Sequence, residues 1–372
     1  MAFGLFKKSE KKQESANQHY HELTVRKIVQ ETKDAISIVF EHPTSGKINY
    51  KSGQFLTLIA TVQGKEVRRA YSLCSSPFID EDLAVTVKRV DDGLLSNWLP
   101  ENLKVGQKLK ILEPMGQFTT EYSKDKKRHF IMFSGGSGIT PMMSILKSVI
   151  NQEPESICSL IYCNNDIDSI IFKNELDRLQ TENEGRVHVI HVLLNAPMNW
   201  QGYVGFLNKE MLVKLFERIP DWGLEKTTYL MCGPEGMMKN VEMLLSDLHI
   251  PKEKVFKESF VSGTIDKEKK EETKAATASG NTAHEVTVRY DGQEYKFTVE
   301  PNRTILETAL DQGIDLPYSC QSGLCTACRG RALSGRVKLD EEEGLSQSER
   351  AEGYVLTCVG HPVTDDVVIE IG

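Results

Sequence analysis

The chain has little that would carry it across a membrane or onto nucleic acid. No apolar run approaches the ~20 residues that a spanning helix needs; a run such as Val187 to Leu194 is broken by histidines. The opening Met1 to Lys12 starts apolar but turns to lysine, with no hydrophobic core or small-residue cleavage site of a secretory signal. Residues 1–18 are expected to be a disordered leader, with a membrane-surface contact through Phe3, Leu5, Phe6 and the lysines as the alternative. Basic excess is missing too: 45 Lys+Arg against 53 Asp+Glu leave a formal charge of −8, which argues against a nucleic-acid partner. The glycine spacing G-x-G-x-x-G is absent, excluding the standard Rossmann fingerprint. There is no disulfide framework. Cys74, Cys158, Cys163 and Cys232 are scattered among apolar or glycine-rich stretches, as expected in a reducing cytoplasm.

What is present centres on Pro317-Tyr-Ser-Cys-Gln-Ser-Gly-Leu-Cys-Thr-Ala-Cys-Arg329 and a distant Cys358. Cys320, Cys325 and Cys328 stand at C-x4-C-x2-C, which with a remote fourth cysteine is the plant-type spacing for a 2Fe-2S cluster. Ser322-Gly323 supplies small residues where the loop must turn its N–H groups inward toward negative charge. Zinc, which usually takes two C-x2-C knuckles, fits the four-residue gap poorly, and structural cysteines fit less well still.

From residue 19 to 124 the signals are strand signals separated by Gly, Pro, Asn and Asp, predicting an antiparallel β-barrel domain. From 125 to 262 strand and helix patterns alternate, predicting an α/β domain with a parallel sheet. Residues 263–284 are charged, then small, without apolar periodicity, and read as a linker. The last segment, 285–372, opens on a hairpin around Asp291-Gly292 and is expected to be an α+β, β-grasp-like ferredoxin domain. It holds 16 acidic and 8 basic residues; the other 37 acidic and 37 basic residues cancel, so the whole net charge lies here. That asymmetry favours a basic docking face on a partner, a merely soluble acidic domain being the alternative.

Two phosphate cradles follow from local chemistry. Arg69-Ala70-Tyr71-Ser72 at a strand end offers a cation, a phenol and a hydroxyl suited to a flavin. Val87-Lys88-Arg89, then Gly93-Leu94-Leu95-Ser96, opens a helix whose first N–H groups can hold a pyrophosphate. Gly135-Gly136-Ser137-Gly138-Ile139-Thr140-Pro141 lies between a strand and a helix and admits close backbone approach. Cys232-Gly233-Pro234 ends a later strand.

These motifs, with Glu258-x-Phe260 and the order barrel, β/α domain, ferredoxin, resemble the ferredoxin–NADP reductase superfamily over about residues 19 to 372, and within it the reductase components of bacterial oxygenases, such as the phenylacetyl-CoA epoxidase and ketosteroid 9α-hydroxylase reductases. The resemblance implies an NAD(P)H-dependent oxidoreductase that passes electrons through FAD and a 2Fe-2S cluster to an oxygenase or other acceptor protein. It implies that Arg69, Tyr71 and Ser72 contact FAD, that Gly93 to Ser96 hold its pyrophosphate and that Gly135 to Thr140 hold the nucleotide. Cys232 would order the nicotinamide, Ser72 and Glu258 would handle hydrogen bonds and protons at the flavin, and Phe260 would help close over it. Many relatives end at the aromatic matching Phe260, whereas this chain continues, which weakens that last assignment. Asp166, after Tyr162 and without a nearby arginine, favours NADH over NADPH. A stand-alone diaphorase and a non-enzymatic iron–sulfur redox sensor remain the alternatives; a membrane quinone reductase component would need a spanning helix and a leading ferredoxin.

Overall fold

The computed structural model describes residues 20–260, 282–342 and 344–372. The expected leader, residues 263–281 of the expected linker, and Glu343 lie outside them.

Short alternating apolar runs build the first sheet. Strands β1 (Tyr20–Thr32), β2 (Ala35–Phe40), β3 (Phe55–Val62), β4 (Lys65–Ser72), β5 (Leu83–Lys88) and β6 (Lys108–Met115) pair antiparallel in the order β4-β3-β6-β1-β2-β5. The edges meet beyond β4, where Leu73 bridges Val85 and the Cys74 N–H donates to the Ala84 carbonyl at 2.9 Å. Closure removes the exposed strand edges that invite aggregation. Leu23, Ile38, Phe40, Leu56, Leu58 and Val87 fill the interior, and Leu95 and Leu99 of helix α1 (Leu94–Asn102) pack onto them.

The second sheet is parallel because helices return the chain between its strands. It runs β7 (His129–Gly135), α2 (Ile139–Gln152), β8 (Ile157–Asn164), α3 (Lys173–Glu182), β9 (Val187–Leu193), β10 (Tyr203–Val204), α4 (Lys209–Phe216), β11 (Thr227–Cys232), α5 (Glu235–Asp247) and β12 (Val255–Glu258), with strand order β10-β9-β8-β7-β11-β12. Every residue of β7 is buried, as a central strand covered on both faces must be. The order reverses between β7 and β11, so their carboxyl ends open into one crevice. Helix α2 takes in the end of the glycine motif: its glycines form a 3-10 turn over Gly136–Gly138 that runs straight into Ile139. Barrel and sheet are cross-linked by Ser144 Oγ donating to the Ser75 carbonyl at 2.5 Å, by a Ser76–Ser148 hydroxyl pair at 2.8 Å, and by buried Lys147 paired with Asp80 at 2.8 Å.

In the last segment β13 (His284–Tyr290) and β14 (Gln293–Val299) form the expected hairpin, with Asp291 and Gly292 both at positive φ, 51° and 69°. Helix α6 (Ile305–Asp311) starts with a Thr304–Glu307 capping box. Then come β15 (Arg329–Ser334), β16 (Val337–Leu339), α7 (Gln347–Ala351), β17 (Tyr354–Leu356), β18 (Gly360–Pro362) and β19 (Val367–Ile371). The main sheet is β14-β13-β19-β15-β17, with β13 and β19 parallel, and Ile305, Leu306 and Ala309 of α6 join Val286, Val288 and Ile369 in its core.

Candidate active site and electron-exit loop

Strand β4 ends at Ser72, and the edge strand β12 brings Glu258 to it: Ser72 Oγ donates to Glu258 Oε2 at 3.1 Å. Glu258 is half-buried, and its loss of solvation among the surrounding protein atoms pushes its carboxyl up to about 8 although the Ser72 hydrogen bond lowers it. Tyr71 is raised by burial as well, against the opposing pull of Arg69. Phe260 follows Glu258 and is 40% exposed. Arg69 donates to the carbonyl of Arg68 at 2.8 Å. Thr57, opposite Ala70 in the β3–β4 ladder, carries a buried hydroxyl with no partner among the described residues.

Nearby, α1 starts at Gly93 without a side-chain cap, leaving its first N–H groups available to an anion. A Cβ on Gly93 would lie 2.2 Å from Ser96 Oγ and 2.5 Å from Val90 Cγ2, so a side chain there would force both to move. The other expected flavin contacts divide. Val87 and Leu95 are core residues whose side chains face the barrel interior, so a ligand could meet only their backbone, whereas Leu94 is 48% exposed. Arg89 pairs with Glu101 at 2.8 Å. Lys88 pairs with Asp34 at 3.6 Å, and its Nζ lies 3.7 Å from where a Gly136 Cβ would stand, so its ammonium borders the glycine turn of the second sheet.

That turn and the Cys232-Gly233-Pro234 turn interlock at the crevice. A Cβ on Gly138 would lie 2.1 Å from the Cys232 carbonyl oxygen, and one on Gly135 would lie 2.5 Å from Pro234 Cδ. Helix α2 has no side-chain cap, Thr140 Oγ1 donates to the Ser137 carbonyl at 2.9 Å, and Tyr162 donates to the Gly136 carbonyl at 2.9 Å. Ile139 and Pro141 are buried under the turn. Ser134, beside Cys232 in the ladder, has a buried hydroxyl without a partner among the described residues. Burial, reinforced by Glu258, holds the Cys232 thiol well above its usual range, which keeps it neutral. Asp166 caps the 3-10 turn Ile167–Ser169, one oxygen accepting from the Ser169 N–H at 2.9 Å. The open helix starts, interlocked glycines and orphaned hydroxyls fit two phosphate-bearing groups meeting beside Ser72 and Glu258.

The four cysteines converge. The Cys320 thiol is close enough to those of Cys325 and Cys358 for their titrations to interact, as is Cys358 to Cys328. Cys320 accepts from its neighbours and is pulled far below the usual thiol range, while Cys325 and Cys358 are pushed up. Among the described residues no three such side chains close on a single-ion position. The loop turns through Gln321 and Gly323 at φ 54° and 77°, and the Ser322 N–H points at Cys320 Sγ at 3.4 Å. Buried Ser319 and Ser322 hydroxyls have no partner among the described residues. A thiol ring with inward N–H and spare hydroxyls fits a cluster whose sulfides accept hydrogen bonds.

The barrel, the parallel sheet and the four-cysteine loop together define a flavin- and nucleotide-binding oxidoreductase with an iron–sulfur domain. Family models agree by region: the oxidoreductase FAD-binding domain matches residues 22–120, the oxidoreductase NAD-binding domain 132–243, and the 2Fe-2S iron-sulfur cluster binding domain 288–363. The chain belongs to the ferredoxin–NADP reductase superfamily, in the family of oxygenase reductase components with a C-terminal 2Fe-2S domain. It is 37% identical over 352 residues to the ferredoxin reductase component of 3-ketosteroid-9-alpha-monooxygenase of Rhodococcus rhodochrous, covering 94% of this chain and 96% of the relative. A component of the 1,2-phenylacetyl-CoA epoxidase of Escherichia coli is 32% identical over 355 residues, covering 94% and 97%. In fold, phthalate dioxygenase reductase superposes with a TM-score of 0.58 at 22% identity, covering 95% of this chain and 98% of that one. The protein uses FAD, a pyridine nucleotide and a 2Fe-2S cluster as an electron-transferring oxidoreductase. No helix among the described residues is long and apolar enough to cross a membrane.

The contacts that the sequence reading missed join the first and last sheets. Arg68, only 6% exposed, donates from Nε to Glu66 at 2.8 Å, from one terminal nitrogen to Tyr20 at 2.8 Å and from the other to Asp315 at 3.0 Å. Its guanidinium also lies 4.2 Å from the ring centroid of Tyr318. Only the adjacent arginine pair Arg68-Arg69, one per strand face, marked that position in the sequence.

Proposed function

We propose that this protein takes electrons from NADH and delivers them singly, from the 2Fe-2S loop, to an oxygenase component in the cytoplasm. FAD supplies the conversion of a two-electron hydride into one-electron steps. Arg69, Tyr71 and Ser72 would hold the flavin and the N-terminus of α1 its pyrophosphate, with Lys88 reaching the nucleotide phosphates. The glycine turn and α2 hold the dinucleotide, Cys232 orders the nicotinamide as a neutral thiol, and Glu258 holds a proton at the flavin edge through Ser72. Asp166 supports NADH: its second carboxylate oxygen can accept from a ribose hydroxyl, and its charge repels a 2′-phosphate. Cys320, Cys325, Cys328 and Cys358 hold the cluster.

The observation that carries this reading is the Ser72–Glu258 hydrogen bond, which joins the barrel and the parallel sheet where their two cradles open. The docking side is supported by Asp340-Glu341-Glu342. This run packs on the cluster loop: the Gly344 N–H donates to the Gly323 carbonyl at 2.9 Å, and a Gly323 Cβ would lie 2.7 Å from Glu341 Cβ. Asp340 pairs with His361 at 2.9 Å and Glu342 with Arg350, so the run is shaped as well as charged. The oxygenase names of the relatives supply the acceptor class.

The test is steady-state reduction of ferricyanide and of the cognate oxygenase with NADH and with NADPH, alongside FAD, iron and acid-labile sulfide analysis. The reading expects a preference for NADH in kcat/KM and one FAD with one two-iron cluster. FMN, or zinc without sulfide, contradicts it.

A further inference from the structure

The cluster loop is tied to the barrel at both of its ends. On the N-terminal side Asp315 receives Arg68 at 3.0 Å and the Tyr20 hydroxyl at 3.0 Å, while Tyr318 covers the guanidinium. Tyr318 precedes Cys320 by two residues, so their Cα atoms are at most about 7 Å apart. On the C-terminal side the guanidinium of Arg329, which follows Cys328, lies 3.0 and 3.3 Å from the Gln117 amide, whose oxygen accepts from it in the orientation that satisfies both groups, and is itself braced by Glu349 and by the Tyr354 ring at 4.6 Å. Arg68 belongs to β4, the strand that ends in Arg69-Ala70-Tyr71-Ser72, so its tie lands on the same strand as the flavin motif. All three guanidinium nitrogens of Arg68 are spent on this network, and the Tyr20 hydroxyl donates in turn to Asp315. A buried cation with a partner on each of its three nitrogens, Asp315 among them from the last segment, favours the geometry that supplies them, because losing a partner leaves a buried N–H unmatched.

We infer that the Arg68–Asp315–Tyr318 cluster, with Gln117–Arg329 opposite it, is a latch that holds the iron–sulfur module in its electron-receiving position against the flavin strand. This rests on the proposed electron route and adds its internal control point. With FAD and the cluster bound, NADH would yield NAD+, one proton and two electrons, and the latch would hold the Cys320–Cys328 loop in place for two successive one-electron transfers, each taking one ferric iron to ferrous. Arg68 and Asp315 are positioning residues; they set how long the two sites face each other and touch no reacting atom.

The experiment compares full-length wild type with Asp315→Ala, Asp315→Glu and Asp315→Ala/Gln117→Ala in two readouts. Small-angle scattering of the oxidised protein should show a larger radius of gyration for Asp315→Ala, larger again in the double variant, with Asp315→Glu near wild type. Breaking one hydrogen-bonded ion pair should shift the latched-to-open ratio about tenfold. Anaerobic stopped flow should show flavin bleaching by NADH within about twofold of wild type and cluster reduction several-fold slower, with partial recovery in Asp315→Glu. Unchanged scattering overturns the latch, as does expanded scattering with cluster reduction at the wild-type rate. A parallel loss of flavin bleaching also overturns it, by making Asp315 a residue of general folding. If wild type holds no cluster, the proposed electron route fails, while the scattering comparison still tests the latch.

Discussion

Glu258 is the residue whose surroundings most change its chemistry. With its carboxyl raised to about 8 from an ordinary 4.5, it is a neutral acid at pH 7 and ionises as pH climbs past that value. The folded protein therefore binds this proton more tightly than the unfolded chain. The associated stability is complete below about 4.5 and is lost as pH rises through about 8. Steady-state turnover should likewise fall above pH 8. In Glu258→Gln, which can still accept from Ser72, the pH limb near 8 should vanish and turnover should drop about a hundredfold; a pH–rate profile that keeps the limb would remove Glu258 from proton handling. Gly138→Ala would drive a Cβ into the Cys232 carbonyl and should raise KM for the nucleotide while leaving FAD content intact, as titration with NADH would show. The Ser72–Glu258 pair was legible only through family resemblance, since 186 residues separate its members and no spacing rule links them. Val87 shows the reverse: a motif placed it at the ligand, but strand alternation turns its side chain into the barrel core.

Among elements, the cluster loop is the one that sequence determined most fully, because thiolate spacing and a glycine turn leave few other arrangements. Gly323 has two reasons to be glycine, a φ of 77° and the Glu341 side chain 2.7 Å from its absent Cβ. Gly323→Ala should lower iron and labile-sulfide content per chain without altering FAD content, and full occupancy would contradict this packing argument. Helix α6 depends on its capping box, so Thr304→Ala should lower stability by about 1 kcal/mol, measured by denaturant unfolding of the ferredoxin segment's signal. Long periodic strands and helices were readable from their patterns, whereas β10 and β12, of two and four residues, carry too few positions for a period to show. Since β12 delivers Glu258, the missed element matters to the site.

For the whole molecule, domain order and charge asymmetry could be read from composition, but the seams could not. Ser75–Ser144, Lys147–Asp80 and Arg68–Asp315 join residues far apart in sequence whose types are ordinary on any surface. The acidic ferredoxin segment predicts a salt-sensitive encounter with its acceptor, since each surface charge acts over about 8 Å at physiological ionic strength. Replacing Glu341, Glu342 and Glu343 by glutamine should slow acceptor reduction at low salt and flatten its salt dependence, with flavin reduction unchanged in stopped flow. The central claim, that electrons pass from nucleotide to flavin to cluster to acceptor, is tested most directly by one anaerobic rapid-mixing experiment with NADH and the acceptor oxygenase. The account predicts flavin bleaching first, the cluster signal second and acceptor reduction last, with the last two steps abolished in Cys325→Ser. Acceptor reduction at the wild-type rate in Cys325→Ser would contradict it.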